Sequence, residues 1–224
     1  MFLTRFTIDT ARRGARKLLA SPQAMHAAVR AAFAVPEDHD RPGARTLWRL
    51  DTATNGTVQL YIVSPGRPDL THLVHQAGNH SQTTAEAWTT RDYDGLLASL
   101  RPGQRWAFRL TANPSHSGRK NADAKDTQRF GHLRPADQTK WLTDRSARYG
   151  FSVAVQQDGE PNLMLRHRQT LIFSRGMHSV TLTTATYDGV LDVTDADAFR
   201  QALVQGIGHA KAYGCGLLTI AAAH

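Results

Sequence analysis

Eleven histidines and a single cysteine are the side chains of this 224-residue chain best suited to acid–base or nucleophilic chemistry near neutral pH. His26 has the most informative neighbours. It lies in a run in which Met25, Val29, Ala32 and Phe33 recur with helical spacing, so these four form the buried stripe of a helix. One position on from Met25, His26 stands at about 100° from it around the axis, on the border of that stripe. Gln23 and Arg30 lie one turn before and after it and share its side of the helix. An imidazole flanked by a guanidinium and a carboxamide is equipped for general acid–base work at an RNA phosphodiester. The same position equally suits a purely structural histidine.

A second feature is the segment Gly206-Ile-Gly208-His209-Ala-Lys211-Ala-Tyr-Gly214-Cys-Gly216. Closely spaced glycines let backbone amides approach a ligand, and Lys211 adds a cation. A dinucleotide fingerprint is excluded, because it requires glycine at position 211 and a following βαβ unit. A Walker A loop is excluded because the segment does not end in Gly-Lys-Ser/Thr. Backbone capture of RNA phosphates and a tight turn feeding an edge strand both remain consistent with the pattern.

The other chemistry-bearing residues form no recognisable constellation. His72, His75 and His80 have no acidic or thiol partner at a metal-site spacing, so no metal or other cofactor is expected. No Gly-x-Ser-x-Gly elbow is present, and Cys215 among glycines is a weak nucleophile candidate. Arg166-His167-Arg168 and Arg175-Gly176-Met-His178 read as a basic β-hairpin turning at Gly176, suited either to solvent or to a nucleic-acid groove.

The elements that must position these residues follow from periodicity. Phe2, Thr4, Phe6 and Ile8 alternate with polar positions, as in a strand buried on one face. A basic turn is expected over 11–17. Ser21 then reads as the N-cap and Pro22 as the first residue of the His26 helix. Strands follow at 45–51 and 57–63 around the turn Asn55-Gly56, then a short helix at 69–76 and a strand at 86–93. After Leu100-Arg-Pro-Gly103 a second round begins with a strand at 104–111. A mobile basic loop is expected at 113–131 and a helix from Pro135 carrying Trp141, Leu142 and Tyr149. Strands at 151–157, 163–173 and 180–193 come next, the last interrupted at Asp188-Gly189. A helix capped near Asp195 and a closing strand at 217–220 complete the chain. The economical reading is α+β, two consecutive βαββαβ-like units, with domains at 1–95 and 101–224.

Composition sets the class. The hydrophobic fraction of 41% excludes wholesale disorder, and apolar runs such as Leu217 to Ala223 are too short to cross a bilayer. Thr4 and Arg5 interrupt any signal-peptide core, and one cysteine forms no intrachain disulfide, so a cytoplasmic location is expected. The formal charge is +8, concentrated locally: residues 101–150 carry eleven Lys and Arg against four Asp. Arginine dominates over lysine, which suits forked hydrogen bonding to phosphate and guanine edges.

Several segments together resemble the CasE family of CRISPR-repeat endoribonucleases of type I-E systems. They are Met1-Phe-Leu-Thr-Arg5, Ser21-Pro-Gln-Ala-Met-His26, Leu47-Trp-Arg-Leu50 and the run from Pro102 to Pro114. The end matches best, from Asp188-Gly189 through the stretch from Gln205 to Leu218, whose glycine motif is the most specific element. The resemblance runs in order along essentially the whole chain. It implies a tandem ferredoxin-like, RRM-like fold that binds the hairpin of a CRISPR repeat transcript and other subunits of the Cascade complex. It also implies metal-independent cleavage at the stem base, in which the ribose 2′-hydroxyl attacks the adjacent phosphate. The family's helix-borne histidine falls on His26, and the lysine of its glycine-rich loop on Lys211, beside Gly208 and His209. Arg175 falls in the groove-reading hairpin, and Arg119 and Lys120 in the basic loop after Pro114. Where familiar members have a tyrosine, three positions before the histidine, this chain has Gln23. A carboxamide donates hydrogen bonds but cannot exchange a phenolic proton. His26 alone is then expected to transfer protons, with Arg30 or Lys211 stabilising the phosphorane. The alternative is an RNA-hairpin binder that does not cleave.

Overall fold

A computed structural model describes residues 1–35, 40–79, 87–119 and 127–223. In chain order the first unit comprises β1 (Phe2–Ile8), α1 (Arg13–Leu19), α2 (Pro22–Arg30), the small hairpin β2 (Asp40–Arg41) and β3 (Ala44–Arg45), β4 (Leu47–Thr52), β5 (Val58–Ser64), α3 (Thr71–Ala77) and β6 (Trp88–Asp92). Its antiparallel sheet has the order β4-β5-β1-β6, the second, third, first and fourth main strands of a ferredoxin-like unit. Thr4, Phe6 and Ile8 of β1 face the helices and are buried, as their alternation requires. They pack with Met25 and Val29 of α2 and with Leu70, Leu73 and Ala77 around α3.

The expected basic turn at 11–17 is instead the helix α1. Ala15 and Leu18 bury its inner face. Arg12, just before it, donates to the carbonyls of Val74, His75 and Gly78 at the end of α3. One guanidinium therefore satisfies carbonyls that a helix C-terminus leaves without partners.

In α2, Ser21 is the N-cap, its hydroxyl accepting from the Ala24 amide at 3.3 Å, and Pro22 opens the helix. Ser21→Ala should therefore lower global stability by about 1 kcal/mol in urea titration. An unchanged midpoint would show that tertiary packing alone holds this end.

A short helix, α4 (Asp94–Ser99), connects to the second unit. That unit comprises β7 (Arg105–Ala112), the hairpin β8 (Ser115–Arg119) and β9 (Thr127–Gly131), and α5 (Pro135–Ser146) with a 3-10 turn at Ala147–Tyr149. There follow β10 (Phe151–Val153), β11 (Leu163–Arg175), β12 (His178–Val193), α6 (Ala196–Gln205), a 3-10 turn at Lys211–Tyr213 and β13 (Leu218–Ala222). The order β10-β12-β7-β13 repeats the ferredoxin pattern, with β11 paired to the outer length of β12. The chain is a tandem ferredoxin-like α+β fold. Asp195 caps α6 as expected, accepting from Asp197 and Ala198.

Two expectations change here. The described parts of the 113–131 loop form a hairpin, in which Ser115 pairs with Gly131 at the base and Arg119 with Thr127 further out. Nor is β12 interrupted at Asp188-Gly189, because both residues continue the ladder to β7 and β11. A Cβ at Gly189 would lie 2.3 Å from the Asn162 carbonyl, so this glycine serves close approach rather than a turn.

The two units share a core: Leu47 and Val63 of the first sheet pack with Leu110, Leu203 and Leu218 of the second unit. Arg49 on β4, only 2% exposed, crosses the junction. Its guanidinium forms a fork to Asp51 at 2.7 and 2.8 Å and donates to the carbonyls of Arg109 and Leu217 at 2.8 and 3.0 Å. It also reaches the Thr219 hydroxyl at 2.8 Å.

Candidate functional site

The site forms where α2 meets the glycine-rich segment. α2 packs against the 3-10 turn Lys211–Tyr213. Met25 lines a cavity of about 210 Å³ together with Pro22, Trp48, Leu171, Tyr213 and Gly214. Phe173 of β11 meets the Tyr213 ring edge-on at 4.8 Å. Helix, glycine loop and long hairpin thus converge, although they come from three distant parts of the sequence.

His26 is half-buried on α2, with Gln23 half-buried one turn earlier and Arg30 exposed near the helix end. The border position expected from periodicity is the one observed. Gly206, Gly208, Gly214 and Gly216 all adopt positive φ. All four are also closely packed: an added Cβ would lie 2.7 Å from Leu47 at Gly206, 3.0 Å from Trp141 at Gly208, 2.7 Å from Trp48 at Gly214 and 2.9 Å from the Ile207 carbonyl at Gly216. Ala210, between His209 and Lys211, is held at φ 59°, a left-handed conformation that L-residues other than Asn and Asp seldom adopt. The amide of Gly208 donates to the Tyr149 hydroxyl at 3.3 Å, tying the loop to the end of α5.

The loop sits in a positive field. Lys211 has its pKa lowered, first by burial and then by Arg45 and Arg148. His209 is lowered below the usual 6.5 by burial and by Arg129, Lys211, Arg145 and Arg148. Arg45, Arg129, Arg145, Arg148 and Tyr213 were not among the expected site residues. Arg129, Arg145 and Arg148 belong to the basic window at 101–150, but only the tertiary structure distinguishes them from its other arginines.

The remaining expected residues are placed apart. Arg175 is exposed at the tip of the β11–β12 hairpin, paired with His178 across the turn at Gly176, and Met177 beside it is fully exposed. Arg119 is exposed on β8, in the other hairpin, and Lys120 lies outside the described residues. The neighbouring basic run is less available than its sequence suggests. Arg168 donates to Gln138 and to the Leu133 carbonyl, both at 2.7 Å, and Arg166 pairs with Asp188 at 3.2 Å. Likewise Arg105 is paired with Asp192 and Arg109 with Asp188, so part of the excess charge at 101–150 is neutralised within the sheet.

Other chemistry is weakened by the surroundings. Cys215 is fully buried and its thiol is pushed up to about 12, which removes it as a nucleophile. His72 Nε2 lies 2.9 Å from the Ala28 carbonyl and ties α3 to α2; His80 is outside the described residues. Among the described residues no three His, Cys, Asp or Glu side chains are grouped to hold a metal.

The family model described as CRISPR associated protein matches residues 1–222. The chain belongs to this CRISPR-associated family. A curated relative, the CRISPR-associated endoribonuclease Cse3 of Thermus thermophilus, is 28% identical over 99% of this chain and 100% of its own length. The Cascade subunit CasE of Escherichia coli is 29% identical over 72% of this chain and 79% of its own. The solved structure of Thermus thermophilus Cse3 bound to an RNA representing a pre-cleavage complex superposes with a TM-score of 0.77. It is 29% identical and covers 99% of this chain and 98% of that one.

This CRISPR-associated protein carries two imidazoles whose titration is coupled to folding. His132, like His209, is held below 6.5, by burial and by the adjacent His116, whose ring lies 4.8 Å away; Arg145 adds to this and Asp137 opposes it. A histidine with a depressed folded pKa contributes stability that is fully present above about 6.5, its unfolded value. That stability is lost as pH falls from there towards the folded value, because the unfolded chain then binds more protons. Urea midpoints of the RNA-free protein should fall between pH 7.5 and 5.5, and His132→Asn with His209→Asn should flatten the decline. An equal decline in the double variant would assign it to other groups.

Proposed function

We propose that this chain is a metal-independent endoribonuclease that binds the hairpin of a CRISPR repeat transcript and cuts at the base of the stem. The observation that carries this reading is the packing of the His26 helix directly on the Lys211–Tyr213 turn of the glycine-rich loop. It puts the helix with the acid–base group beside a cationic loop, in a chain similar over nearly its full length to an endoribonuclease.

In the proposed reaction the 2′-oxygen forms a bond to the adjacent phosphorus and the bond to the 5′-oxygen breaks, giving a 2′,3′-cyclic phosphate and a 5′-hydroxyl. His26 accepts the 2′-hydroxyl proton and returns it to the departing 5′-oxygen. Lys211 or Arg30 stabilises charge on the phosphorane, and Gln23 offers a hydrogen bond to a phosphate or leaving oxygen. Gly208 and His209 meet the backbone at the glycine loop. Arg175 reads the groove from its hairpin tip, and Arg119 and Lys120 contact phosphates from the second hairpin. The ferredoxin-like units at 1–95 and 101–224 hold these parts in register.

The similarity to a Cascade subunit supports retention of the cut RNA within Cascade, alongside its other subunits. Among the described residues no helix is long and apolar enough to cross a membrane, and we place the activity in the cytoplasm.

Gln23 favours one other reading, a hairpin-binding subunit that leaves its RNA intact. Incubation with the cognate repeat RNA in EDTA decides between them. A single cut at the stem base with a cyclic phosphate end supports the enzyme. Tight, salt-sensitive binding of RNA that stays intact supports the binder.

A further inference from the structure

A groove leads away from the N-terminal end of the His26 helix. The cavity of about 210 Å³ beside Pro22 and Tyr213 adjoins a larger one of about 560 Å³, and both are lined by Leu19, Leu50, Thr111, Gln169 and Thr184. Together they run from the start of α2 and the glycine loop to residues 167–169 of β11. The first unit supplies an apolar wall, in which Leu19 and Leu50 are half-buried and Val58 is buried. The second unit supplies polar groups: Thr111 on β7, Thr184 and Thr186 on β12, and Gln169 on β11.

At the far end of the groove β11 carries a bulge. Arg166 pairs with Thr186 and Gln169 with Thr184, so His167 and Arg168 together stand opposite Ala185. His167 is held there at φ 46°, a left-handed conformation uncommon for residues with a Cβ, and it borders the larger cavity as an exposed residue. Arg168 fixes the bulge through its bonds to Gln138 and the Leu133 carbonyl. The other charged groups of the lining are already matched, Asp51 by the fork from Arg49 and Arg109 by Asp188. The Thr111 and Thr186 hydroxyls bond each other at 2.8 Å. Among the described residues, His167 and Gln169 make no side-chain hydrogen bond. The groove therefore offers a carboxamide, an imidazole and an apolar wall. Such a lining suits a flat heteroaromatic ring better than a phosphate, and the volume is typical of small-ligand sites.

We propose that this groove is a pocket for one unpaired nucleobase of the repeat RNA, next to the base of the stem. This rests on the RNA reading above and adds to it a site that recognises a base outside the hairpin. Gln169 hydrogen-bonds the edge of the base, since a carboxamide both donates and accepts, and His167 supplies a ring for stacking. Leu19 and Leu50 give the base an apolar surface on the side of the first unit. The groove is continuous with the start of α2, so the pocket lies where a strand leaving the stem base passes the acid–base helix. Holding that base keeps the adjoining strand in register with His26.

The test uses the full chain and a fluorescent repeat hairpin that keeps its unpaired flanks. A 2′-deoxy sugar at the cleavage position lets it bind without being cut. An abasic residue is placed at the first unpaired position on the 5′ side of the stem in one RNA and on the 3′ side in another. One of the two should bind roughly tenfold more weakly than the intact RNA, which identifies the strand that enters the groove. That loss should vanish in the His167→Gly, Gln169→Ala variant, because glycine keeps the backbone of the bulge while removing the ring. Gln169→Ala alone should shrink the loss, and it gives the same reading if the double variant melts lower. A loss at neither position, or a loss that persists in full in both variants, overturns the pocket while leaving hairpin binding intact. A wild-type chain that fails to bind the hairpin overturns the RNA reading, and the pocket with it.

Discussion

His26→Ala should reduce cleavage of the repeat hairpin by roughly 10³- to 10⁴-fold, the upper part of the range for general acid–base catalysis. Binding should stay within a few-fold of wild type. On the proposed mechanism the large loss follows from Gln23: a carboxamide cannot exchange a phenolic proton, so one imidazole would have to serve both oxygens. The small change in binding follows from where the affinity arises. On the proposed reading Lys211 and Arg175 contribute charge from the glycine loop and the tip of the long hairpin, elements outside α2. Single-turnover cleavage in EDTA, with a parallel binding titration and a melting curve, separates these effects. A variant that cuts at the wild-type rate would move the proton transfers to another residue. A variant that neither cuts nor binds, at an unchanged melting temperature, would make His26 a binding residue.

Replacing Arg49 with leucine should cost about 3–5 kcal/mol, the usual penalty for removing one member of a buried, hydrogen-bonded ion pair. Its guanidinium satisfies Asp51, two carbonyls of the second unit and the Thr219 hydroxyl, and leucine satisfies none of them. Among the described residues Asp51 would retain only the Arg109 ion pair, at 3.6 Å, and Arg109 is already committed to Asp188 at 2.6 and 2.7 Å. For a chain of this size the melting temperature should fall by roughly 10 °C. Calorimetry should also show the single transition broadening or splitting, because Arg49 joins β4 to β7 and β13 and so couples the two sheets. A single sharp transition within 2 °C of wild type would mean that the shared apolar core alone couples them. Arg5→Gln, at an exposed position on the same sheet, is the control and should change little.

Features carried by local chemistry were legible in the sequence. The alternation in β1, the Ser21-Pro22 start of α2, the Asp195 cap and the turn at Gly176 all appear where short-range rules put them. The border position of His26 was legible for the same reason, since helical periodicity fixes the angle between neighbours on one helix. Among the elements that were not legible, three have a stabilising partner that is distant in sequence. The helix α1 looks like a basic turn until Arg12 is seen capping α3. The ladder through Asp188-Gly189 looks broken until Asn162 is seen pressing on Gly189. The 113–131 segment looks like a loop because β8 and β9 carry few apolar residues, although their backbones pair with each other.

The sequence by itself determined the α+β order, the duplicated βαββαβ plan and the residue types for phosphate chemistry, because strand alternation, helix periodicity and caps act within a few residues. The tertiary structure decided which charges remain free. Arg105, Arg109 and Arg166 are spent on aspartates across the sheet, whereas Arg45 and Lys211, from different units, line one cavity at the junction together with Asp40. Charge pairing depends on distance in space, and residues separated by more than a hundred positions become neighbours only when the chain folds. The glycine loop shows the same division. Its composition announced a close backbone approach, but only the packing of Trp48, Trp141 and Lys211 against it revealed which glycines are required and what they approach.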